Sequence, residues 1–560
     1  MKYTYHPMQM HLHAGHQPGA SIESHMYNAK LLGMQYIRIT SHDNRTGPNK
    51  NPCNSFDFSQ GTLVYEDIPH GYCGWGECFG EPQTVFERGC MVLSASSEGS
   101  DYTASGYGFK SSGKRHAVSL LSDLTLTFGF SFEAVGDARF VIDVRMSQRA
   151  PDHRQAHLRY ALGEITEPDI PHTAEIPLIP GDDGLYRLHL TADVQRADVR
   201  EIVGGLDNAF DSVAVLVETK NGGRGVCRLN RFMINTVYGF DDVVVRQREV
   251  AEEVGCRMGV KPFVTTEISA AGQHKNCYAT WVPVINYAER GYSVTQAEAI
   301  AHVKKYGGIF SYNHPFEHYK RTDMTAEEKE FCVIRDAAAF IASKVWGAAL
   351  MEVGFVDGRG GFGLAEHLRL WDLIGMGGVF ITGCGDSDSH SSDSNWFSGQ
   401  NFASWIAAPA DTAFPVPEAD FVASMKAGRV YAGDPVFLKS SVNLTSSGLP
   451  MGSVLTMGDR DPLARTVTFS AEKPEADWTV RLVMNGECIQ EFRAGDVRNE
   501  AGDLQYSFTV CPTLPVNPVR AEMYNADGRC IMLTNPIYFV RTAEFEGEIP
   551  PERLYSIEEV

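Results

Sequence analysis

The sequence predicts an α/β fold that is interrupted after its second strand by an inserted β-sandwich and followed by a second, C-terminal β-sandwich. Three observations carry this expectation. Strand and helix signals alternate at the start of the chain and again from about Asp241 to Tyr431, the rhythm of βαβ units. Between these stretches lie short alternating runs rich in glycine and aromatics, with almost no helical periodicity. After Pro435 the alternation returns without helices. The expected divisions are 1–48 and 239–434 for the two parts of the α/β unit, 49–238 for the insert and 435–560 for the C-terminal sandwich.

The elements follow in order. Met8 to His13 reads as a strand, Ser21 caps a helix that Gly33 stops, and Tyr36 to Thr40 is a second strand. Leu124 to Phe132, Ala138 to Val144 and Ser212 to Val217 are strand candidates of the insert, which reads as jelly-roll-like. The segment Gly71 to Cys78 looks too glycine-rich for regular structure and is a candidate lid. Val244, Val250, Val254 and Met258 mark a helix leading to a strand at Pro262 to Ile268. Helices follow at Thr295 to Tyr306 and Ala326 to Lys344, and strands at Gly308 to Tyr312, Ala348 to Val353 and Gly378 to Thr382. Thr466 to Ala471 and Val480 to Met484 are strands of the last region.

Composition narrows the function classes. A chain of 560 residues is too long for one ordinary core, so two to four domains are expected. With 43% hydrophobic and 21% charged residues it reads as globular. A formal net charge of −21 argues against nucleic acid or an anionic membrane as partner. No apolar run is long enough to span a bilayer, and the N-terminus carries no apolar signal core, so a cytoplasmic protein is expected. The twelve cysteines are scattered with no C-x-x-C pair, which reads as reduced thiols.

The chemistry lies in where the histidines and acids fall. His11 and His13 are two residues apart at a strand end, so their side chains point the same way. His42 and Asp43 follow the second strand, and Glu267 ends the strand after the insert, with His274 in the next loop. His314 follows the strand ending at Tyr312, and Asp386, Asp388 and His390 follow the strand ending at Thr382. In parallel α/β folds these strand ends converge on one face. A recurrent imidazole and carboxylate set there suits Zn²⁺, Mn²⁺ or Fe²⁺. His6, His25, His70, His116 and His367 read instead as structural or surface residues.

These motifs resemble the PHP (polymerase and histidinol phosphatase) superfamily. The family's H-x-H is matched by His11-Leu12-His13, its T-D-H by Thr40-Ser41-His42, and its G-x-E-I-S by Thr265 to Ser269 followed by His274. Its A-H-P is matched by Asn313-His314-Pro315 and its G-S-D-x-H by Asp386 to His390. The resemblance covers about residues 8–45 and 240–435 and implies a distorted (β/α)7 barrel holding two to three divalent metal ions (Zn, Mn or Fe). It implies His11, His13, Glu267, His314 and Asp388 as the main ligands, with His42, His274 and His390 completing further sites. Glu267, His314 and Asp388 are the implied catalytic residues of a metal-bridging hydroxide mechanism. The chain departs from the pattern at Ser41, where the family has aspartate, and at His16, the only candidate for a ligand shortly after H-x-H. Of Asp386 and Asp388, spacing to His390 favours Asp388. Arg429 to Gly433, Met484-Asn485-Gly486 and Asn535 to Tyr538 resemble the carbaryl-hydrolase-like branch, which carries a terminal β-sandwich.

The expected function is therefore a metal-dependent hydrolase of a small-molecule substrate, a phosphoester first, phosphorylated or sugar-containing molecules being the classes considered. Carboxyl-ester, carbamate or amide hydrolysis on the same centre is the rival within enzymes. A carbohydrate-binding or scaffold protein with a structural metal cluster is the rival outside them. Cys384 and Ser387 neighbour the ligands but have no evident base partner. The insert reads either as a carbohydrate-binding module or as a lid or dimerisation module, the latter preferred, and homo-oligomerisation stays open.

Overall fold

A computed structural model describes residues 3–14, 20–43, 53–57, 72–79, 85–87, 90–111, 120–165, 170–235, 240–269, 273–279, 281–286, 294–354, 361–391, 396, 402–439, 441–458 and 464–556. His16, His70 and His116 lie outside these residues. The chain opens with β1 (Tyr3–Leu12), α1 (Ile22–Leu31) and β2 (Tyr36–His42). Ser21 begins α1 as expected, its hydroxyl accepting the Ser24 N–H at 3.0 Å. After the insert come α2 (Phe240–Met258), β3 (Lys261–Ile268), β4 (Lys275–Tyr278), α3 (Gln296–Lys305) and β5 (Ile309–Tyr312). Then follow α4 (Ala326–Ser343), β6 (Leu350–Glu352), α5 (Leu364–Met376), β7 (Thr382–Cys384), β8 (Ala403–Pro409) and β9 (Val430–Gly433). Capping boxes at Thr295 with Glu298 and Thr325 with Glu328 start α3 and α4.

These strands form one ladder in the order β7-β6-β5-β4-β3-β2-β1-β8-β9. Pairing is parallel for β1 with β2, β2 with β3, β5 with β6 and β6 with β7. The short β4 runs antiparallel to both β3 and β5, so those two strands keep a common direction. The architecture is mixed α/β with several sheets, and the described strands do not close into a barrel. One isolated bridge, Leu12 to Ser389, links the end of β1 to the segment after β7. The strand expected at Gly378 to Thr382 lies instead at Thr382–Cys384, because Gly378 and Val379 fold back onto the end of α5 through hydrogen bonds to Gly375 and Ile374.

The insert is a two-layer sandwich. One sheet contains Thr173–Pro177, Arg154–Leu162, Ala138–Arg149, Phe210–Thr219, Thr103–Ser111 and Tyr72–Phe79. The other is built on Thr125–Val135 and Arg224–Asn235, with Cys90–Ser96 at its side. Alternation places Phe140, Ile142, Val144, Val215 and Phe232 in the shared core. Tyr72–Phe79 is a strand paired antiparallel with Thr103–Ser111, with a register irregularity between Tyr72 and Gly76, where the sequence predicts no regular structure. Two short helices, Leu190–Asp193 and Ala197–Val203, also interrupt the β pattern.

The insert leans on α1 and α2. Ala20 bridges Gln148, Ile22 N–H donates to the Asp207 carbonyl, and Arg149 meets Glu23 at 2.9 Å. At the other end, β9 pairs with Cys530–Thr534, so the ladder continues without a break into the C-terminal region across residue 434. A four-stranded sheet on Val442–Ser446, Arg465–Ala471 and Leu504–Val510 packs on that extension. No helix among the described residues is long and apolar enough to cross a membrane. The described cysteines are free.

Candidate metal centre

Seven of the nine ladder strands, all but β4 and β8, point the same way, and their C-terminal ends form one edge. β1 ends beside Ser389, where His13 N–H donates to the Ser389 carbonyl at 3.0 Å and Ser389 N–H donates to the His11 carbonyl at 3.3 Å. That stitching brings Asp388 and His390 against His11 and His13. β2 delivers His42 as its last residue and β3 delivers Glu267 beside it, the two paired in register. β4 runs backward, so His274, just before it, lands on the same edge. His314 follows β5. Gly385 permits the close approach of the Asp386 segment: a side chain there would sit 2.6 Å from Phe402 Cβ.

All eight residues expected from sequence meet here. His13 Nε2 lies 2.7 Å from Asp388 Oδ1 and 3.1 Å from His11 Nε2. His11 Nε2 is 3.2 Å from Asp388 Oδ1 and 3.4 Å from Glu267 Oε1. His42 Nδ1 is 2.5 Å from Glu267 Oε2, and His274 Nδ1 is 3.1 Å from Glu267 Oε1. His314 Nε2 is 3.5 Å from the same Oε1, and His390 Nε2 is 3.3 Å from His42 Nε2. Donor atoms around one tetrahedral cation with bonds of about 2.1 Å stand about 3.4 Å apart. The observed spacings fit that shell, and two ring nitrogens at 3.1 Å cannot both carry protons.

Five triples of donors each lie within 4.8 Å of one another: His11, His13 and Glu267; His42, Glu267 and His274; His13, His42 and His390; His274, His314 and Glu317; His11, Glu352 and Asp386. Glu267 belongs to two of them. Seven of the ten residues in these triples are buried, His274, Glu317 and His390 being partly exposed, and burying so many acids and imidazoles together is costly unless their charges are compensated. His314 Nε2, His13 Nδ1 and Asp386 Oδ1 have no hydrogen-bond partner among the described residues. His314 and Asp388 adopt left-handed backbone conformations, φ 28° and 46°, strain of the kind that collects at functional sites.

The electrostatics divide the histidines. Burial, reinforced by His390 and His42, holds the His13 pKa well below its ordinary value and keeps the ring neutral. Burial also opposes charge on His11, but Asp388, Glu352 and Glu267 outweigh it and push its pKa well up. His314 is likewise raised, to about 10, because Glu267 and Glu317 overcome its burial. Glu267 stays ionised: burial disfavours its charge, yet His274, His42 and His11 pull its pKa well down.

Several contributors were not read from sequence. Glu352, the last residue of β6, contacts His11 Nδ1 at 2.8 Å. Glu317 lies 2.5 Å from His314 Nδ1. Asn313, where the resembled motif has alanine, donates from Nδ2 to Glu267 Oε1 at 2.9 Å. The signal for Glu352 was present: like Glu267 it is an acid that closes an apolar strand. Ser41, which stands where the resembled motif has aspartate, donates to the Ala14 carbonyl at 2.9 Å, and His42 Nδ1 contacts Ser269 Oγ at 2.7 Å as well as Glu267. His25 and His367 are structural as expected. The His25 ring contacts the His13 carbonyl and accepts from Trp396 Nε1, and His367 contacts the Gly363 carbonyl.

No protein-family model matches the chain, and no curated protein matches it. The PHP resemblance therefore rests on the sequence motifs.

Proposed function

We propose that this protein is a metal-dependent hydrolase of ester bonds, phosphoesters foremost, with two or three divalent ions of the Zn, Mn or Fe type held by His11, His13, His42, Glu267, His274, His314, Asp388 and His390. The observation that carries the reading is the convergence on Glu267, whose two oxygens face four imidazoles from four separate strand ends within 3.5 Å. Bound there, such ions supply Lewis acidity and lower the pKa of water.

The chain's own residues set up that chemistry. Glu267, ionised and shared between two donor groups, holds positive charge at the centre of the site. His13 stays neutral and so offers a lone pair. Asp388 reaches both His11 and His13. His274 and His390, 24% and 41% exposed, are the most exposed of the eight and so the ones a substrate would meet first. Cations at this edge would reverse the field of a chain whose net charge is −21, the condition for admitting a phosphate. A PHP-type barrel belongs to the same proposal. It is supported by the order of ligand-bearing strand ends and by the Leu12–Ser389 bridge, which returns the far end of the ladder to β1.

The test is metal removal and reconstitution with a substrate panel. The chelated protein is expected to lose hydrolysis, and Mn²⁺ or Zn²⁺ to restore it with at least two ions per chain. Phosphomonoesters, phosphodiesters and carboxylic esters are compared on the reloaded protein. One ion or fewer would overturn the centre. Metal binding without turnover of any ester would favour a structural cluster, and turnover confined to carboxylic esters would move the substrate class.

A further inference from the structure

Glu352 is wholly buried, and both of its oxygens are engaged. Oε1 lies 2.8 Å from His11 Nδ1, on β1. Oε2 accepts the backbone N–H of His314 at 2.6 Å, in the loop after β5. One carboxylate thus grips two candidate ligands whose strands are not neighbours in the ladder. It grips them at different atoms: the ring of one and the main chain of the other, at the position where the backbone is forced to φ 28°.

Two roles fit an acid so placed. Glu352, His11 and Asp386 lie close enough to hold an ion of their own. Against this, both oxygens are already taken up, Oε1 by the His11 ring at 2.8 Å and Oε2 by the His314 amide at 2.6 Å. The remaining ring nitrogen of His11 decides the matter, since Nε2 faces Glu267 and Asp388 at 3.4 and 3.2 Å, where a ligand belongs. A ring that presents a lone pair at Nε2 carries its proton at Nδ1, and a carboxylate at 2.8 Å is the acceptor that selects this tautomer. We propose that Glu352 is a positioning residue that fixes His11 with Nε2 free for metal and pins the strained His314 backbone. This rests on the metal-centre reading of the preceding section.

A glutamine keeps the shape but offers only one acceptor, and its NH₂ group would confront either the His11 ring N–H or the His314 amide. The experiment titrates metal-free wild type, Glu352→Gln and Glu352→Asp with Co²⁺ in competition with a chromophoric chelator. It records the Co²⁺ absorption spectrum and the melting of the metal-free proteins. Glu352→Gln is expected to weaken the tightest Co²⁺ site by about 10- to 100-fold with an altered spectrum. Glu352→Asp keeps both acceptors and should fall between glutamine and wild type. If Glu352→Gln does not fold, the aspartate variant carries the test alone, and a wild-type affinity in it would overturn the proposal. Unchanged affinity and spectrum in Glu352→Gln, with only the metal-free melting lowered, would make Glu352 a structural residue. A bond from Glu352 to metal in a loaded crystal would make it a ligand, and either result sinks the positioning role. Failure of the wild type to bind Co²⁺ would instead bring down the metal-centre reading itself.

Discussion

The core of the inserted sandwich and the C-terminal edge of the ladder are equally dry and chemically opposite. Phe128, Phe140, Ile142, Val215 and Phe232 have no exposed surface, and neither do His11, His13, Glu267 and Glu352. In the sandwich, burial is its own stabilisation: apolar side chains leave water and pack, with Phe128 stacked on Phe232 at 4.5 Å. At the ladder edge, burial is a cost that only partners can offset. Glu267 shows how many are recruited, since His11, His42, His274, His314, Ser269 and Asn313 all reach its carboxylate. The difference teaches that equal burial marks stability in one region and ligand-holding capacity in the other.

The largest expected effect comes from breaking the dry polar region. Glu267→Gln keeps the volume and removes the charge that four imidazoles surround. It should lower ester hydrolysis by several orders of magnitude and lower metal content, and His314→Ala should do likewise. Turnover and metal analysis of the same preparations check this, and near-full hydrolysis by a metal-loaded Glu267→Gln would end the metal-hydrolase reading. In the sandwich, Phe140→Ala should cost about 3–5 kcal/mol of stability through the cavity it leaves, read by chemical denaturation. If the two regions differ as described, that variant still binds metal with wild-type affinity.

A third test uses pH. Burial holds the His25 pKa down to about 4, from an ordinary 6.5, outweighing its contact with the His13 carbonyl. The unfolded chain therefore takes up the proton first. The stability His25 contributes is complete above pH 6.5 and is lost as pH falls toward 4, a loss on the order of 3 kcal/mol. Denaturation midpoints of wild type and His25→Gln across that window should show a shallower slope in the variant; identical slopes would refute it. The smallest effect is at Asn313. Asn313→Ala removes one hydrogen bond to an ionised, buried carboxylate, a loss of about 1.5–3 kcal/mol. It should appear as about tenfold or more weaker metal binding by competition titration, and unchanged binding would show that the imidazoles alone hold Glu267.

Much of the site was legible because its signals are local. An H-x-H at the end of a strand puts two rings on one side whatever the rest of the chain does. An acid closing the apolar strand Pro262-Phe263-Val264-Thr265-Thr266 is read the same way. Glu352 also closes a strand, but its partner His11 is 341 residues away, so no local pattern assigns it to the site. Asn313 was read only as a variant of a motif, since nothing near it in sequence indicates Glu267, 46 residues earlier, as its acceptor. The glycine-rich Tyr72–Phe79 shows the converse: its pairing comes from a neighbouring strand and not from a pattern in its own residues.

The sequence by itself determined the alternation of β/α units, the two β-rich regions, the helix starts at Ser21 and Thr295, and the eight residues that gather at one edge. All of these follow from periodicity, capping and residue chemistry acting over a few positions. Only the tertiary structure decided that β4 runs backward to bring His274 to that edge, that the described ladder stays open, and that it runs on through β9 into the C-terminal strands. Tertiary structure alone also chose which atoms face Glu267 and which carboxylate faces His11. Strand direction, sheet order and side-chain partners depend on contacts between residues hundreds of positions apart, and no local pattern encodes them.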